Sequence, residues 1–424
     1  MIRIYTTTEE VKKLLDRSQL DVQDVNATVK KIIADVRARG DAALLEYTER
    51  FDRVRLTADT LTVTEAEIAA AYAAVPQETV DALRRARDNI LNYHRRQLRQ
   101  DNVRTEDGKT TGYLIRPVER AGLYVPGGKA AYPSSVLMCA CPAIVAGVDE
   151  IVMTTPAPDG KLNPLTLVAA NECGIRRIFK VGGAQAIAAL AFGTESVPRV
   201  EVVSGPGNIY VAVAKREVYG NVGIDMIAGP SEILIVADES ADPGFLAADM
   251  LSQAEHDELA MALLITDSER IAAETKAELE KQLAVLPRRA IAEKSLSAYG
   301  GIVLTKDLNE GIRLANTIAP EHLELCVRDA DDRLRQIRNA GAVFLGNYSP
   351  EPLGDYYAGP NHVLPTSGTA RFFSALGVDS YIKKISVIRY EAEPLRAAAD
   401  DIIRLAETEG LTAHANSIRV RKGE

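Results

Sequence analysis

Apolar positions recur every three to four residues over 25–36, 42–51 and 65–75, the spacing of amphipathic helices. A long charged helix is predicted over 77–97. His94 falls in it beside Arg95, Arg96 and Arg99, where a solvated face is expected. Residues 105–116, TEDGKTTGYLIR, predict a hairpin turning at Asp107-Gly108. From Ala121 the texture changes. Short apolar runs at 151–155, 178–181 and 200–204 alternate with helical spacing at 164–173, 184–192 and 208–219. A second series follows: strand 233–237, helix 243–256, strand 261–266, a long helix from Glu269, and strands 301–304, 323–327 and 343–345. Such alternation predicts βαβ units and parallel sheets. The reading is α/β, with two doubly wound units, the second completed by the N-terminal helices. Residues 382–424 hold one helix, 394–409, before the basic end HANSIRVRKGE, and read as an extension outside either core.

Composition sets the class and excludes some partners. Of 424 residues, 46% are hydrophobic and 26% charged, as in ordinary soluble globular proteins. A net charge of −9 argues against nucleic acid or anionic membranes as partners, since both require clustered positive charge. The start, MIRIYTTTEEVKKLLDR, lacks an apolar signal core, and Thr7 to Glu10 reads as a helix capping box. The longest apolar run, 136–148, contains Pro142 and is too short to span a bilayer. Cys139, Cys141, Cys173 and Cys326 show neither zinc-knuckle spacing nor a disulfide framework, so reduced thiols and a cytoplasmic location are expected.

The scarce histidines narrow the chemistry. There are five, and four sit in polar clusters in the second half: SQAEHD with Gln253 and His256, APEHLEL with Glu321 and His322, GDYYAGPNHVLP with Asp355 and His362, and EGLTAHANS with Glu409 and His414. Imidazole, carboxylate and amide are the ligand set of zinc and also the means of proton transfer near neutral pH. Gln253 and His256, three apart, share a helix face, although a polar helix end explains that pair alone. Asp355 lies in a long loop, 348–366, whose apolar residues favour order, and Gly410 as a helix cap lets a turn present His414. One amide oxygen, one carboxylate and two imidazoles make an N/O zinc site. Glu321-His322 sits where a strand begins after Pro320, placed to relay protons at a sheet edge, with a surface acid beside a satisfied histidine as the plain alternative. Three glycine-rich turns, 122–135, 181–186 and 204–210, suit a phosphate at a helix N-terminus, yet none is a dinucleotide fingerprint and tight turning explains them equally well. A thiolate nucleophile at Cys326, Cys139 or Cys141 competes with buried, inert thiols, and the latter fit their apolar settings better.

Longer motifs carry a resemblance. RGDAALLEYTERFD, GLYVPGGKAAYPSSVLM, VGGAQAIAALAFGT, SGPGNIYVAVAKR, IAGPSEILIVAD, SQAEHDELA, TIAPEHLEL and GPNHVLPT, with the terminal HANSIRV, resemble the histidinol dehydrogenase family from about residue 20 onward. The resemblance implies zinc- and NAD-dependent four-electron oxidation of L-histidinol to L-histidine through histidinaldehyde, the last step of histidine biosynthesis. Zinc would be held by Gln253, His256, Asp355 and His414. Glu321 and His322 match the acid–base pair. Ser231, His322, Asp355 and Glu409, with the metal ligands, match substrate contacts, while Tyr124, Gln185 and Asn208 match NAD contacts. It further implies a homodimer with shared active sites and two incomplete Rossmann-like domains. The expected division is a tail segment 1–20, a catalytic domain from 21–120 and 232–378, an NAD-binding domain 121–231, and an extension 379–424 carrying Glu409 and His414 into the partner's site. Two other functions stay open: a thiolate-dependent aldehyde dehydrogenase on a related scaffold, and a non-catalytic zinc-dependent binding paralogue.

Overall fold

Largely apolar strands become buried sheet centres. In chain order the strands are β1 (Arg3–Tyr5), β2 (Asn102–Glu106), β3 (Lys109–Pro117), β4 (Arg120–Tyr124), β5 (Glu150–Thr154), β6 (Arg177–Phe179), β7 (Val202–Ser204), β8 (Gly223–Ile224), β9 (Glu232–Ala237), β10 (Met261–Thr266), β11 (Gly300–Leu304), β12 (His322–Cys326), β13 (Ala342–Leu345) and β14 (Ile382–Tyr390). The structure, a computed structural model, describes residues 2–6, 11, 23–127 and 132–423. The capping box expected at Thr7 to Glu10 lies outside the described residues, as does part of the first glycine-rich turn. No helix among the described residues is long and apolar enough to cross a membrane.

Two parallel sheets form the larger unit, which comprises residues 1–97 and 119–381. One has the order β6-β5-β4-β7-β8 and the other β1-β11-β10-β9-β12-β13. Leaving β1 aside, both follow the same doubly wound pattern, 3-2-1-4-5, whose order reverses between the first and fourth strands. That confirms the α/β expectation. Every residue of β9, EILIVA, and of β10, MALLIT, is buried, as a sheet covered on both faces demands. Their alternation feeds two separate cores: Ile233, Ile235 and Leu264 on one face, Leu234, Val236 and Leu263 on the other. Each such side chain contributes about 1.5–3 kcal/mol when fully buried.

Three elements depart from expectation. Arg3–Tyr5, expected within a tail segment, pairs in parallel with β11 and extends the larger sheet. The helices Gln23–Arg39 and Asp41–Asp52 do not complete the second α/β series. They bury Val29, Ile32, Val36, Leu44 and Tyr47 against the helix Gly183–Phe192 beside the five-stranded sheet. Its sequence, GAQAIAALAF, is mostly small side chains that let a helix approach closely. His94, expected on a solvated face, is fully buried, and its Nδ1–H donates to the Ile90 carbonyl at 2.8 Å. The buried stripe of its helix runs Val80, Leu83, Ala86, Ile90, His94, so helical spacing overrules the arginines that follow.

The smaller unit joins residues 98–118 to 382–424. The predicted hairpin forms, with Asp107 at φ 50° and Gly108 at φ 71°, and β3 also pairs with β14 in an antiparallel sheet ordered β14-β3-β2. The hairpin therefore belongs with the C-terminal segment and not with the expected 21–120 block. The basic end is not an irregular tail: the helix Ala392–Thr408 is followed, across Gly410 at φ 73°, by a second helix, Thr412–Lys422.

Candidate active site

The amino edge of the six-stranded sheet gathers the predicted acid–base pair. The helix Leu308–Ile318 ends at Ala319, whose positive φ of 54° turns the chain so that Pro320 and Glu321 lead straight into β12. His322 opens that strand in register with Ile233 of β9. Its Nδ1–H donates to the Glu232 carbonyl at 2.9 Å, because a carbonyl can only accept. In the neutral ring this leaves the lone pair on Nε2, and that buried atom has no hydrogen-bond partner. Glu321 Oε2 accepts the Glu232 backbone N–H at 2.8 Å and lies 3.6 Å from His322 Nδ1. Ser231, just before β9, sits at the same edge.

The proposed ligands reach that edge by the usual return of a βαβ helix. The helix Pro243–Ala254 follows β9 and brings Gln253 and His256 back to the amino side. Gln253 is fully buried, its Nε2 lies 3.1 Å from His256 Nδ1, and its Oε1 has no partner. The expected long loop holds a short helix, Glu351–Tyr356, which sets Asp355 Oδ1 3.7 Å from His322 Nε2. Beyond it, His362 Nδ1–H donates to the Asp355 carbonyl at 3.0 Å, and its Nε2 lies 3.4 Å from Ser135 Oγ. Asn361 Nδ2 donates to the Met138 carbonyl at 2.6 Å, and Asn361 Oδ1 accepts from the Val363 N–H. No role was expected for His362 or Glu351, although His362 shares a motif with Asp355. The remaining two expected residues lie in the smaller unit. There Glu409 and His414, on either side of Gly410, line a hollow of about 580 Å³ with Leu405, Ala413 and Ser417.

Buried charge dominates this edge. Desolvation lifts Glu321 up to about 8, against the pull of the neighbouring His322. Desolvation alone would lower His322, but the charges of Glu321, Asp355 and Glu351 outweigh it and raise the ring to about 10. Asp355 resists its own burial, because the His322 and His362 rings hold it well below the usual carboxylate range. Burial takes Glu351 to about 8 and lowers His256 and His362. His322, Glu351 and Asp355 place donor atoms within 4.8 Å of one another. That trio shares only Asp355 with the set expected from sequence. Glu351 makes a poor ligand: burial favours its neutral form and Ser252 Oγ donates to it at 3.1 Å. The bare Gln253 Oε1, with His256 beside the same amide and the Asp355 charge acting on His256, is the better fit to a borderline-soft cation.

The carboxyl edge of the five-stranded sheet carries the other expected set. Tyr124 ends β4, Asn208 follows β7, and Gln185 follows β6, around the point where strand order reverses and open α/β sheets take ligands. The Tyr124 hydroxyl accepts the Gly183 N–H at 3.2 Å, and Gln185 Oε1 is buried without a partner. Asn208 Oδ1 caps the helix Ile209–Val218. Gly205, at φ 115°, lies so close that a Cβ there would meet the Tyr124 carbonyl at 2.1 Å. Only glycine allows these two turns to touch.

A family profile described as histidinol dehydrogenase matches residues 15–422. The chain is 52% identical to the histidinol dehydrogenase of Heliobacterium mobile, covering 99% of each, and 54% identical to that of Syntrophotalea carbinolica, covering 96% of this chain and 95% of the relative. The crystal structure of histidinol dehydrogenase from Elizabethkingia anophelis superposes with a TM-score of 0.94 at 39% identity, over 99% of this chain and 98% of that one. The chain belongs to the histidinol dehydrogenase family. It is thus an oxidoreductase, and within this family member the thiols stand aside: Cys139, Cys141 and Cys326 are buried and pushed well above the ordinary thiol range, chiefly by burial and, for Cys141, first by its neighbour Cys173.

The raised values of Glu321 and His322 predict a pH dependence of stability in chelator-treated protein. Both groups hold protons more tightly folded than unfolded, so their stabilising contribution is full at low pH and is lost as pH rises. Glu321 loses its share between its ordinary 4.5 and about 8, and His322 between 6.5 and about 10. Urea midpoints should fall across that window, and Glu321→Gln should flatten the decline below pH 8. An unchanged slope in that variant would contradict the assignment.

Proposed function

We propose that this chain oxidises L-histidinol to L-histidine through histidinaldehyde, using zinc and two equivalents of NAD, as the last step of histidine biosynthesis. The observation that carries the reading is a pair of bare, buried atoms: His322 Nε2, 3.7 Å from Asp355 Oδ1, and Gln253 Oε1, whose own amide nitrogen lies 3.1 Å from His256 Nδ1. Zinc supplies an anchor for an imidazole-bearing substrate, and NAD an acceptor for one hydride in each oxidation.

Gln253, His256 and Asp355 hold the metal together with the partner subunit's His414, and Ser231 with the partner subunit's Glu409 helps seat the substrate. Tyr124, Gln185 and Asn208 hold NAD at the carboxyl edge described above. His322 Nε2 accepts the hydroxyl proton as the alcohol becomes aldehyde. Glu321 then takes a proton from water as its oxygen bonds to the aldehyde carbon, while His322 returns its proton to the former carbonyl oxygen to give the diol, and the emptied Nε2 accepts a diol proton again in the second oxidation. Burial places Glu321 near 8, where a carboxylate accepts a proton from water effectively. A cation held by Asp355 would offset part of the negative charge that raises His322, and the ring would then act as a base nearer neutrality. None of these steps uses a thiolate.

The direct test is stoichiometry. Purified protein should yield two NADH per histidinol consumed, lose turnover on chelation, and regain it with zinc; full activity in metal-free protein would refute the metal's role. The two catalytic groups should separate by step. Glu321→Gln should slow histidinaldehyde oxidation on the order of 10²–10⁴-fold while sparing histidinol oxidation, whereas His322→Asn should depress both. Equal losses in both half-reactions for Glu321→Gln would remove its assignment to water.

A composite site makes a further prediction. Mixing Glu321→Gln with His414→Ala subunits should restore complete oxidation to histidine, to about a quarter of wild type under random exchange, because about half the dimers carry one intact site. Native mass spectrometry establishes that exchange has occurred. Mixed dimers without activity would place His414 in its own chain's site.

A further inference from the structure

Three elements of the proposed metal site meet at one buried carboxylate that touches neither metal nor substrate. Glu324 lies two residues along β12 from His322 and is 1% exposed. Its register partners, Ile235 on β9 and Phe344 on β13, are both apolar, so packing alone calls for a leucine there. A buried carboxylate costs several kcal/mol unless bonded, so its retention needs a bonding reason. Glu324 Oε1 accepts the backbone N–H of Glu351 at 2.8 Å, at the start of the short helix that carries Asp355. Glu324 Oε2 is buried with no N–H or O–H donor, and the Asp249 carboxyl stands in hydrogen-bonding reach of the Glu324 side chain. Two carboxyls in contact hold a proton between them. Burial supports this, lifting Asp249 to about 6 and Glu324 well above its ordinary range.

Asp249 belongs to the helix Pro243–Ala254, four residues before Gln253. On the same helix, Ser252 Oγ reaches Glu351 Oε2 at 3.1 Å. One face of this helix therefore grips β12 and the Asp355 helix through Asp249 and Ser252, and offers Gln253 and His256 to the site.

We propose that Glu324, bonded to Asp249 and to the Glu351 N–H, is a positioning residue that fixes Gln253, His256 and Asp355 relative to one another and to His322. The inference rests on the metal site proposed above and concerns how its ligands are held. Glutamine at 324 preserves the arrangement, since its Oε1 still accepts from Glu351 and its Nε2 donates to an ionised Asp249. Leucine fills the space and makes neither bond.

Cobalt(II) added to the full-length chain tests this apart from turnover, through affinity by chelator competition and through the visible absorption band that reports ligand geometry. Glu324→Leu should lose about 10–100-fold in cobalt affinity and shift the band, while NAD affinity holds. Glu324→Gln should keep both affinity and band close to wild type. Asp249→Ala, at a half-buried helix position, should weaken cobalt in the same direction as Glu324→Leu and serves if the leucine variant does not fold. Wild-type affinity and spectrum in Glu324→Leu or Asp249→Ala, or a Glu324→Gln as impaired as Glu324→Leu, would overturn the proposal. A wild-type chain that binds no cobalt overturns the metal site itself, and this inference with it.

Discussion

The hydrogen bond from His322 Nδ1 to the Glu232 carbonyl is the constraint on which the site depends. It is made across neighbouring strands, so it exists only in the register that sets His322 opposite Ile233. A slip of one residue would turn the ring to the other face of the sheet. In the register observed, one ring nitrogen is committed to the backbone and the other is delivered to Asp355. The tautomer of the His322 ring is therefore decided by the pairing of β9 with β12. Core packing and chemistry share one set of backbone bonds.

Apart from β1, both parallel sheets have the same strand order, yet the two candidate residue sets lie at opposite edges. The five-stranded sheet presents Tyr124 and Asn208 at its carboxyl edge, where open α/β sheets ordinarily take ligands. The six-stranded sheet presents Ser231, Glu321 and His322 at its amino edge. Its carboxyl edge carries Asp238, Glu239, Asp267 and Asp329 beside Arg328 and Arg333, an acidic rim with its own arginines. At the amino edge, by contrast, the main influences on Glu321, Glu351 and Asp355 among the described residues are burial, histidines and other carboxylates. Histidines are the counter-charges named there, burial raises Glu321 and Glu351, and Asp355 stays strongly acidic.

Much of this was legible in the sequence because it follows from periodicity. Strands β9, β10 and β12 read as apolar runs, and the Asp107-Gly108 turn read from its residue types alone. Glu321-His322 at a strand start followed from Pro320. His94 misled because three arginines nearby suggested water, whereas the 83, 86, 90, 94 spacing put it inside. The destination of the N-terminal helices was not readable, since an amphipathic stripe states that a helix packs but not on which sheet. Glu351 and Glu324 were invisible for a different reason: a buried carboxylate has no pattern of its own, and only the fold shows that the two share a bond. His414 was legible as a motif, while its place beside Glu409 across Gly410 needed the second C-terminal helix that the basic end concealed.

The segment after Asp355 is held by backbone bonds as well as by its buried Val363 and Leu364. Asn361 bonds to the Met138 carbonyl and to its own Val363 N–H, His362 to the Asp355 carbonyl, and the Val363 carbonyl accepts from Leu376. Every one of these partners is protein backbone. Fixing each residue costs about 1–2 kcal/mol of conformational entropy, and here that cost is met when the chain folds. A small ligand arriving at Asp355 would find this segment already ordered, and its binding free energy would not be spent on fixing these residues.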